Sequence, residues 1–356
     1  MKIGVVVHGP TIIDSGWAKR IIEILKNFGE VRVKLGGTMG RVAVIDNNLE
    51  DIIDISEKIM PSESLKKLSE GCDILFLLNY GKSKETGHTF GKIVVSKANI
   101  KKPVIQIERP GERDGSIIVW NYSKEIENIL NYLKKELNLK IEKCVSEGLN
   151  VWSEKGKIFR KVHGVSPGEN ILVNGVVIGK AKDKNVIIVA KNNKIVDIIG
   201  GEIKKEGLER LGDVDLSKAI IKTGLLRKKP KKIKVKDGKD EGYFTIINHS
   251  GESSLENIKD FAITIGDDTT QICGDILSRF GVRIVGITDG DLDKIVEDPK
   301  ITKGSVIFLV KNVRDDYAGE LIKKNLRHKK YKFEDLIKEI EEIFKKYNIR
   351  YERSIL

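Results

Sequence analysis

Short β-rich runs that close on glycine, histidine, asparagine, aspartate or glutamate recur along this chain and constrain its fold more than any other feature. In the first part they occupy residues 2–7, 31–35, 73–78 and 103–107. Segments with helical spacing stand between them. In residues 16–28, Ile21, Leu25 and Phe28 fall on one face with Ser15 as the expected N-cap, and residues 124–137 read as a further helix. Apolar runs this short suit strands buried on both faces, and their alternation with amphipathic helices predicts a parallel sheet covered on both sides.

The pattern changes near Val151. Through SPGENILVNGVVIGKAKDKNVIIVAKNNKIVDIIGG, short strands are separated by turn residues, and Asn174-Gly175 predicts a tight hairpin turn. Alternation returns after a lysine-rich crossing at residues 225–236, with strands expected at 243–247, 261–265, 283–287 and 305–310. Helices are expected at 271–280, 317–325 and 333–347. The reading is α/β: two parallel-sheet Rossmann-like domains, residues 1–145 and 215–356, with a small β-rich meander or barrel over 146–214 between them. A length of 356 residues suits two or three domains.

Composition narrows the classes. Charged residues make up 33% of the chain and the formal net charge is +12. Abundant Lys, Glu and Ile resemble the usage of heat-adapted proteins, which weakens any inference from the basic balance to a nucleic-acid partner. No apolar run approaches the roughly 20 residues of a membrane span, and the N-terminus lacks a secretory pattern, so a cytoplasmic protein is expected. Cys72, Cys144 and Cys273 stand apart, without CxxC spacing, which predicts reduced thiols and no zinc site.

Against this basic background, residues 261–295, FAITIGDDTTQICGDILSRFGVRIVGITDGDLDKI, gather carboxylates at two strand ends. A strand–helix–strand unit of this length places its strands side by side, about 5–10 Å apart, and parallel strands end on the same side of a sheet. Asp267, Asp268, Asp289 and Asp291 are then expected on one rim. Carboxylates so placed repel one another unless they are protonated, hydrated or neutralised by a cation. Mg2+ or Mn2+ on Asp289 and Asp291 answers this, with Asp267 and Asp268 as catalytic residues that add ligands or orient water. Thr269 and Thr270, at the start of a helix, would contact phosphate. The alternative is a pair of solvated turns ahead of ordinary helices.

In the first domain, HGPTIIDSG, LGGTMGR, NYGKSKETGHTFGK and ERPGER read as glycine-bearing loops after strands, suited to an anion. The expected ligand-binding residues are Gly36, Gly37, Thr38, Arg41, Lys82, Thr86 and His88, with Arg109 beside them and His8 as an acid or base. None of these segments is a GxGxxG or P-loop motif. The basic strip Arg227, Lys228, Lys229, Lys231, Lys232, Lys234 and Lys236 has no interleaved aromatic residue, so a solvated linker is favoured over a nucleic-acid contact.

With VHGPTIIDSGWA, LGGTMGRVAVID and GDDTTQICGDILSRFGVRIVGITDGD, the chain resembles, along its full length, an archaeal family of unknown function found chiefly in methanogens. The resemblance implies lineage and a cytoplasmic location but no substrate. Locally, ITDGDLD after a β run resembles the DxD motif of the Toprim domain of topoisomerases and primases. Where that domain carries a glutamate at the end of its first strand, this chain has Asp267 and Asp268. The expectation drawn from the residues is a divalent-metal-dependent enzyme acting on a phosphorylated or nucleotide-like ligand by phosphoryl transfer or phosphodiester chemistry. The alternatives are a non-catalytic metabolite sensor and a Toprim-like nucleic-acid-binding protein.

Overall fold

A computed structural model describes residues 1–37, 39–227, 233–248 and 258–356. Its internal contacts divide the chain into two units, the first comprising residues 1–168, 180–203 and 212–218 and the second residues 169–179, 204–211 and 219–356.

The first unit opens with β1 (Lys2–His8), α1 (Pro10–Asp14), α2 (Trp17–Lys26), β2 (Glu30–Gly36), α3 (Met39–Asp46) and α4 (Pro61–Gly71). It continues with β3 (Ile74–Asn79), α5 (Lys84–Ala98), β4 (Val104–Glu108), β5 (Ser116–Asn121), α6 (Glu127–Glu136) and β6 (Lys140–Glu142). The sheet order is β2-β1-β3-β4-β5-β6. From β2 to β4 the strands are parallel, whereas β5 runs antiparallel to β4, so the sheet is mixed rather than wholly parallel. Successive side chains alternate between faces. Ile3, Val5, Val7, Phe76 and Leu78 pack with Ile21, Leu25 and Leu133, while Val6, Leu75 and Leu77 pack with Leu65 and Leu68 of α4 and Val94 of α5.

Two local expectations fail here for visible reasons. Ser15 is not the N-cap of α2. Pro10 opens the short α1 first, Ser15 closes it by donating to the Ile12 carbonyl at 3.2 Å, and left-handed Gly16 caps α2. Residues 39–41 and 84–92, read as parts of glycine loops, lie in helices α3 and α5. Their glycines mark close packing, because a Cβ at Gly40 would overlap Leu35, one at Gly87 the Glu108 carboxyl group and one at Gly91 Gln106.

The β-rich stretch contains β7 (Val151–Glu154), β8 (Lys157–Val162), β9 (Asn170–Val173), β10 (Val176–Ala181), β11 (Val186–Lys191), β12 (Lys194–Ile199) and β13 (Gly201–Ile203). In the first unit, β12-β11-β8-β7 form an antiparallel sheet. In the second, β9 pairs antiparallel with β14 (Ile221–Thr223). Asn174 and Gly175 have φ values of 49° and 87°, the two positive angles that the expected tight turn needs. The second unit also contains α7 (Lys205–Leu211), set close to β10 because Gly207 has no side chain to strike the Val177 carbonyl.

The rest of the second unit runs through β15 (Glu241–Gly242), β16 (Phe244–Asn248), β17 (Phe261–Ile265), α8 (Asp267–Leu277), β18 (Arg283–Thr288) and β19 (Val306–Val310). It ends with α9 (Asp315–Asn325), β20 (Tyr331–Lys332), α10 (Phe333–Lys346) and β21 (Tyr351–Ile355). The order of its main sheet is β16-β17-β18-β19-β21, with the first four strands parallel and β21 antiparallel to β19. Ile263, Val285 and Phe308 face α9 and α10, whereas Ala262 and Ile284 face Cys273 and Leu277 of α8. Helix α8 begins at Asp267 rather than at Gln271, and α9 at Asp315 rather than at Tyr317, so paired aspartates occupy the first turn of each. The three cysteines form no disulfide, and among the described residues no helix is long and apolar enough to cross a membrane.

Phe308 is fully buried and meets Phe344 and Tyr351 edge-on, with ring centroids 5.4 and 5.0 Å apart. Truncation there leaves a cavity that neighbouring rings cannot fill. Phe308→Ala is expected to lower unfolding free energy by about 3–5 kcal/mol, measured by denaturant titration. A loss below about 1 kcal/mol would contradict this packing.

Candidate metal centre

Three adjacent parallel strands of the second unit deliver carboxylates to one rim. Asp267 follows β17, Asp289 and Asp291 follow β18, and Asp315 opens α9 after β19. One oxygen from each lies within 4.8 Å of the others. Asp267 also fixes the loop after β18, since its Oδ2 accepts the backbone N–H groups of Asp289 and Gly290, each at 3.0 Å. Gly290 meets this geometry with a φ of 97°.

Asp268 turns elsewhere. It accepts the Asp293 N–H at 3.1 Å, and burial together with a hydrogen bond to the Asp293 carboxyl group raises its pKa. Thr270 is buried with its hydroxyl 2.8 Å from that of Thr264, so it faces the sheet rather than the rim. Thr269 is buried in the first turn of α8, near Gly266. The structure thus brings Asp267, Asp289 and Asp291 together and adds Asp315, while Asp268, Thr269 and Thr270 lie outside the group.

Asp315 is 0% exposed, and burial followed by the nearby Asp289 pushes its pKa up to about 7. Its Oδ1 accepts the Asp316 N–H at 2.7 Å, but among the described residues its buried Oδ2 has no hydrogen-bond partner. Asp289 Oδ1 is buried in the same condition, and burial, then Asp291, raises that acid too. Two cations face the group. Lys204 Nζ lies 2.6 Å from Asp293 and 3.6 Å from Asp291, and Arg210 Nη2 lies 3.6 Å from Asp291 and 3.7 Å from Asp315. Asp267, Asp268, Asp289, Asp291, Asp293, Asp315 and Asp316 outweigh them, which leaves negative charge for protons or a further cation to neutralise.

At the strand ends of the first unit, His8 closes β1 and Asn79 closes β3, beside each other in the sheet. Asn79 Nδ2 donates to Glu108 at 2.8 Å, which turns its Oδ1 toward His8, so the His8 Nδ1–H donates to it, also at 2.8 Å. His8 stacks on Phe90 with ring centroids 4.0 Å apart. The fully buried Glu108 also accepts from Gly81 N and Gln106 Nε2 at 2.6 and 2.8 Å. Gly37 has a φ of 97° and adjoins His8, whereas Gly36 packs against Pro61.

The other expected contacts scatter. Arg41 is buried in α3, and Thr86 caps α5 through Ser83. His88 is a buried helix residue whose Nδ1 accepts the Val145 N–H at 3.2 Å and whose Nε2–H therefore donates to Ser116 Oγ at 2.9 Å. Lys82 is exposed, and its carbonyl accepts from Arg109, which adopts a φ of 50°. Thr38 lies outside the described residues, as do Lys228, Lys229, Lys231 and Lys232. Of the strip that remains, Arg227 is buried and Lys234 and Lys236 are exposed.

Residues 5–330 match the family described as an uncharacterized protein conserved in archaea (DUF2117). The chain belongs to this family. It is 63% identical over 363 residues, covering 100% of both chains, to Uncharacterized protein MJ0065 of Methanocaldococcus jannaschii. No solved structure matches it.

Glu108 permits a test of the network behind His8. Burial raises its pKa above the ordinary glutamate range despite the three donors, so the folded state keeps this proton to higher pH than the unfolded state. Its stabilising contribution is therefore complete below the unfolded pKa and lost as pH rises through the folded one. Comparing thermal midpoints from about pH 4 to about pH 8, Glu108→Gln should gain on the wild type as pH rises. A difference that stays constant would mean that Glu108 titrates alike in both states.

Proposed function

We propose that this protein is an enzyme dependent on Mg2+ or Mn2+, held by Asp267, Asp289, Asp291 and Asp315, and that it acts on a phosphorylated or nucleotide-like ligand. Asp315 carries the reading. It is wholly buried, its Oδ2 has no hydrogen-bond partner among the described residues, and it shares a 4.8 Å neighbourhood with three further carboxylates. An unsatisfied buried acceptor costs about 1–3 kcal/mol, and more when charged, so such a group persists where a partner satisfies it. Metal–oxygen bonds of about 2.1 Å set opposite ligands about 4.2 Å apart, within small side-chain adjustments of this spacing.

A bound divalent ion supplies polarisation of a phosphoryl oxygen, which favours phosphoryl transfer or phosphodiester chemistry. Asp267 holds the loop that presents Asp289 and Asp291, and α9 presents Asp315. The parallel cores of the two main sheets support the finer reading of two Rossmann-like domains, and His8, Gly37 and Asn79, where the strand order reverses beside β1, support ligand binding there. A cytoplasmic location completes the proposal.

Calorimetric titration of Mn2+ into wild type, Asp291→Asn and Asp315→Asn tests it. Each substitution keeps size and removes charge, and each should weaken binding by at least about tenfold, ~1.4 kcal/mol, with the fold retained by circular dichroism. Equal affinities in all three would end the metal reading. Mg2+-dependent ligand binding without turnover would favour a metabolite sensor.

A further inference from the structure

We infer that Arg210 is the anion-binding arm of this site, and that the group bound jointly by the cation and the Arg210 guanidinium is a phosphoryl group. The inference rests on the metal reading above. Arg210 lies on α7 in the second unit, where Gly207 allows close approach to the Val177 carbonyl and Lys204, the residue before the helix, bonds Asp293. From there its side chain reaches the carboxylate rim.

Its geometry is not that of a simple counter-ion. Lys204 closes to 2.6 Å on Asp293, a charge-assisted hydrogen bond. Arg210 instead stands 3.6 to 3.7 Å from Asp291, Asp315 and Asp316, beyond hydrogen-bond range. Its Nε and Nη2 are buried and have no hydrogen-bond partner among the described residues. Those two atoms form one edge of the guanidinium, with parallel N–H groups suited to two oxygens of one planar or tetrahedral anion.

The chemistry of the partner follows. It must accept two N–H bonds and also offer an oxygen to the cation beside Asp315. A carboxylate would have to share one oxygen between the arginine and the cation, whereas a terminal phosphoryl group has three free oxygens and more charge to set against a cationic arm. The hydroxyl of Thr270, the other expected phosphate contact, is turned toward Thr264.

The test separates this inference from the metal reading. Mn2+ is titrated into wild type, Arg210→Gln and Arg210→Lys, and inorganic phosphate, with acetate as comparison, is then titrated into each protein saturated with Mg2+. All three should bind Mn2+, with Arg210→Gln as tight as the wild type or tighter, because a competing cation is gone. Phosphate should bind the wild type in preference to acetate, weaken roughly tenfold or more in Arg210→Gln and less in Arg210→Lys. Wild type that binds Mn2+ but shows no preference for phosphate overturns the inference alone, as does equal phosphate affinity in wild type and Arg210→Gln. Loss of Mn2+ binding in a folded Arg210→Gln would make the arginine a structural support of the rim and also overturn it. Failure of the wild type to bind Mn2+ would remove the metal reading itself and this inference with it.

Discussion

Everything at the acidic rim depends on parallel pairing. Neighbouring strands in a sheet lie about 4.8 Å apart, and parallel strands place all their carboxyl ends on one side. Once β17, β18 and β19 are paired in register, an acid at each strand end has to share space with the next. The helices that follow relieve part of the repulsion, since Asp267 and Asp315 occupy the first turns of α8 and α9, where an anion gains about 0.3–1 kcal/mol from the helix dipole. Burying a carboxylate costs several kcal/mol, so the dipole alone is too weak to hold Asp315 ionised in a fully buried position. Its raised pKa expresses that deficit.

The same sheet physics explains which elements were legible in the sequence. Strands announced themselves through short β-rich runs, and residues 261–265 match β17 residue for residue. Helices α3 and α5 were hidden because helix propensity treats glycine as a breaker. In a helix pressed onto a sheet, glycine instead admits a neighbour, and Gly87 and Gly91 lie where the side chains of Glu108 and Gln106 need room. No local pattern distinguishes these two uses, because the space that decides them is occupied by residues from β4.

At the site, helical rotation governed what could be read. Consecutive helix residues point about 100° apart, so a helix that begins at Asp267 aims Asp267 and Asp268 at different partners. Asp267 meets the loop after β18, Asp268 meets Asp293, and Thr270 turns into the sheet. Placing the helix start at Gln271 concealed that division. Asp315 carried a usable signal, since Asp315-Asp316 after β19 repeats the pairing of Asp267-Asp268 after β17. Arg210 carried none, because its approach to Asp291 joins segments far apart in sequence through the packing of α7.

Two buried acids, one at the end of β4 and one in the first turn of α9, meet the cost of burial differently. Glu108 lies at the end of β4, and its oxygens accept three N–H donors, from Asn79, Gly81 and Gln106. That carboxyl group is completed by the protein itself, and its role is to orient Asn79 and through it His8. Asp315 is equally buried but has an oxygen with no hydrogen-bond partner among the described residues and faces an arginine that stops short of bonding it. A polar group of the first kind stabilises a conformation with nothing added. One of the second kind leaves its cost of burial to be met by a proton or a cation, and on the metal reading proposed above it is the incomplete shell around Asp315, rather than the number of aspartates, that would set this rim apart from a set of solvated turns.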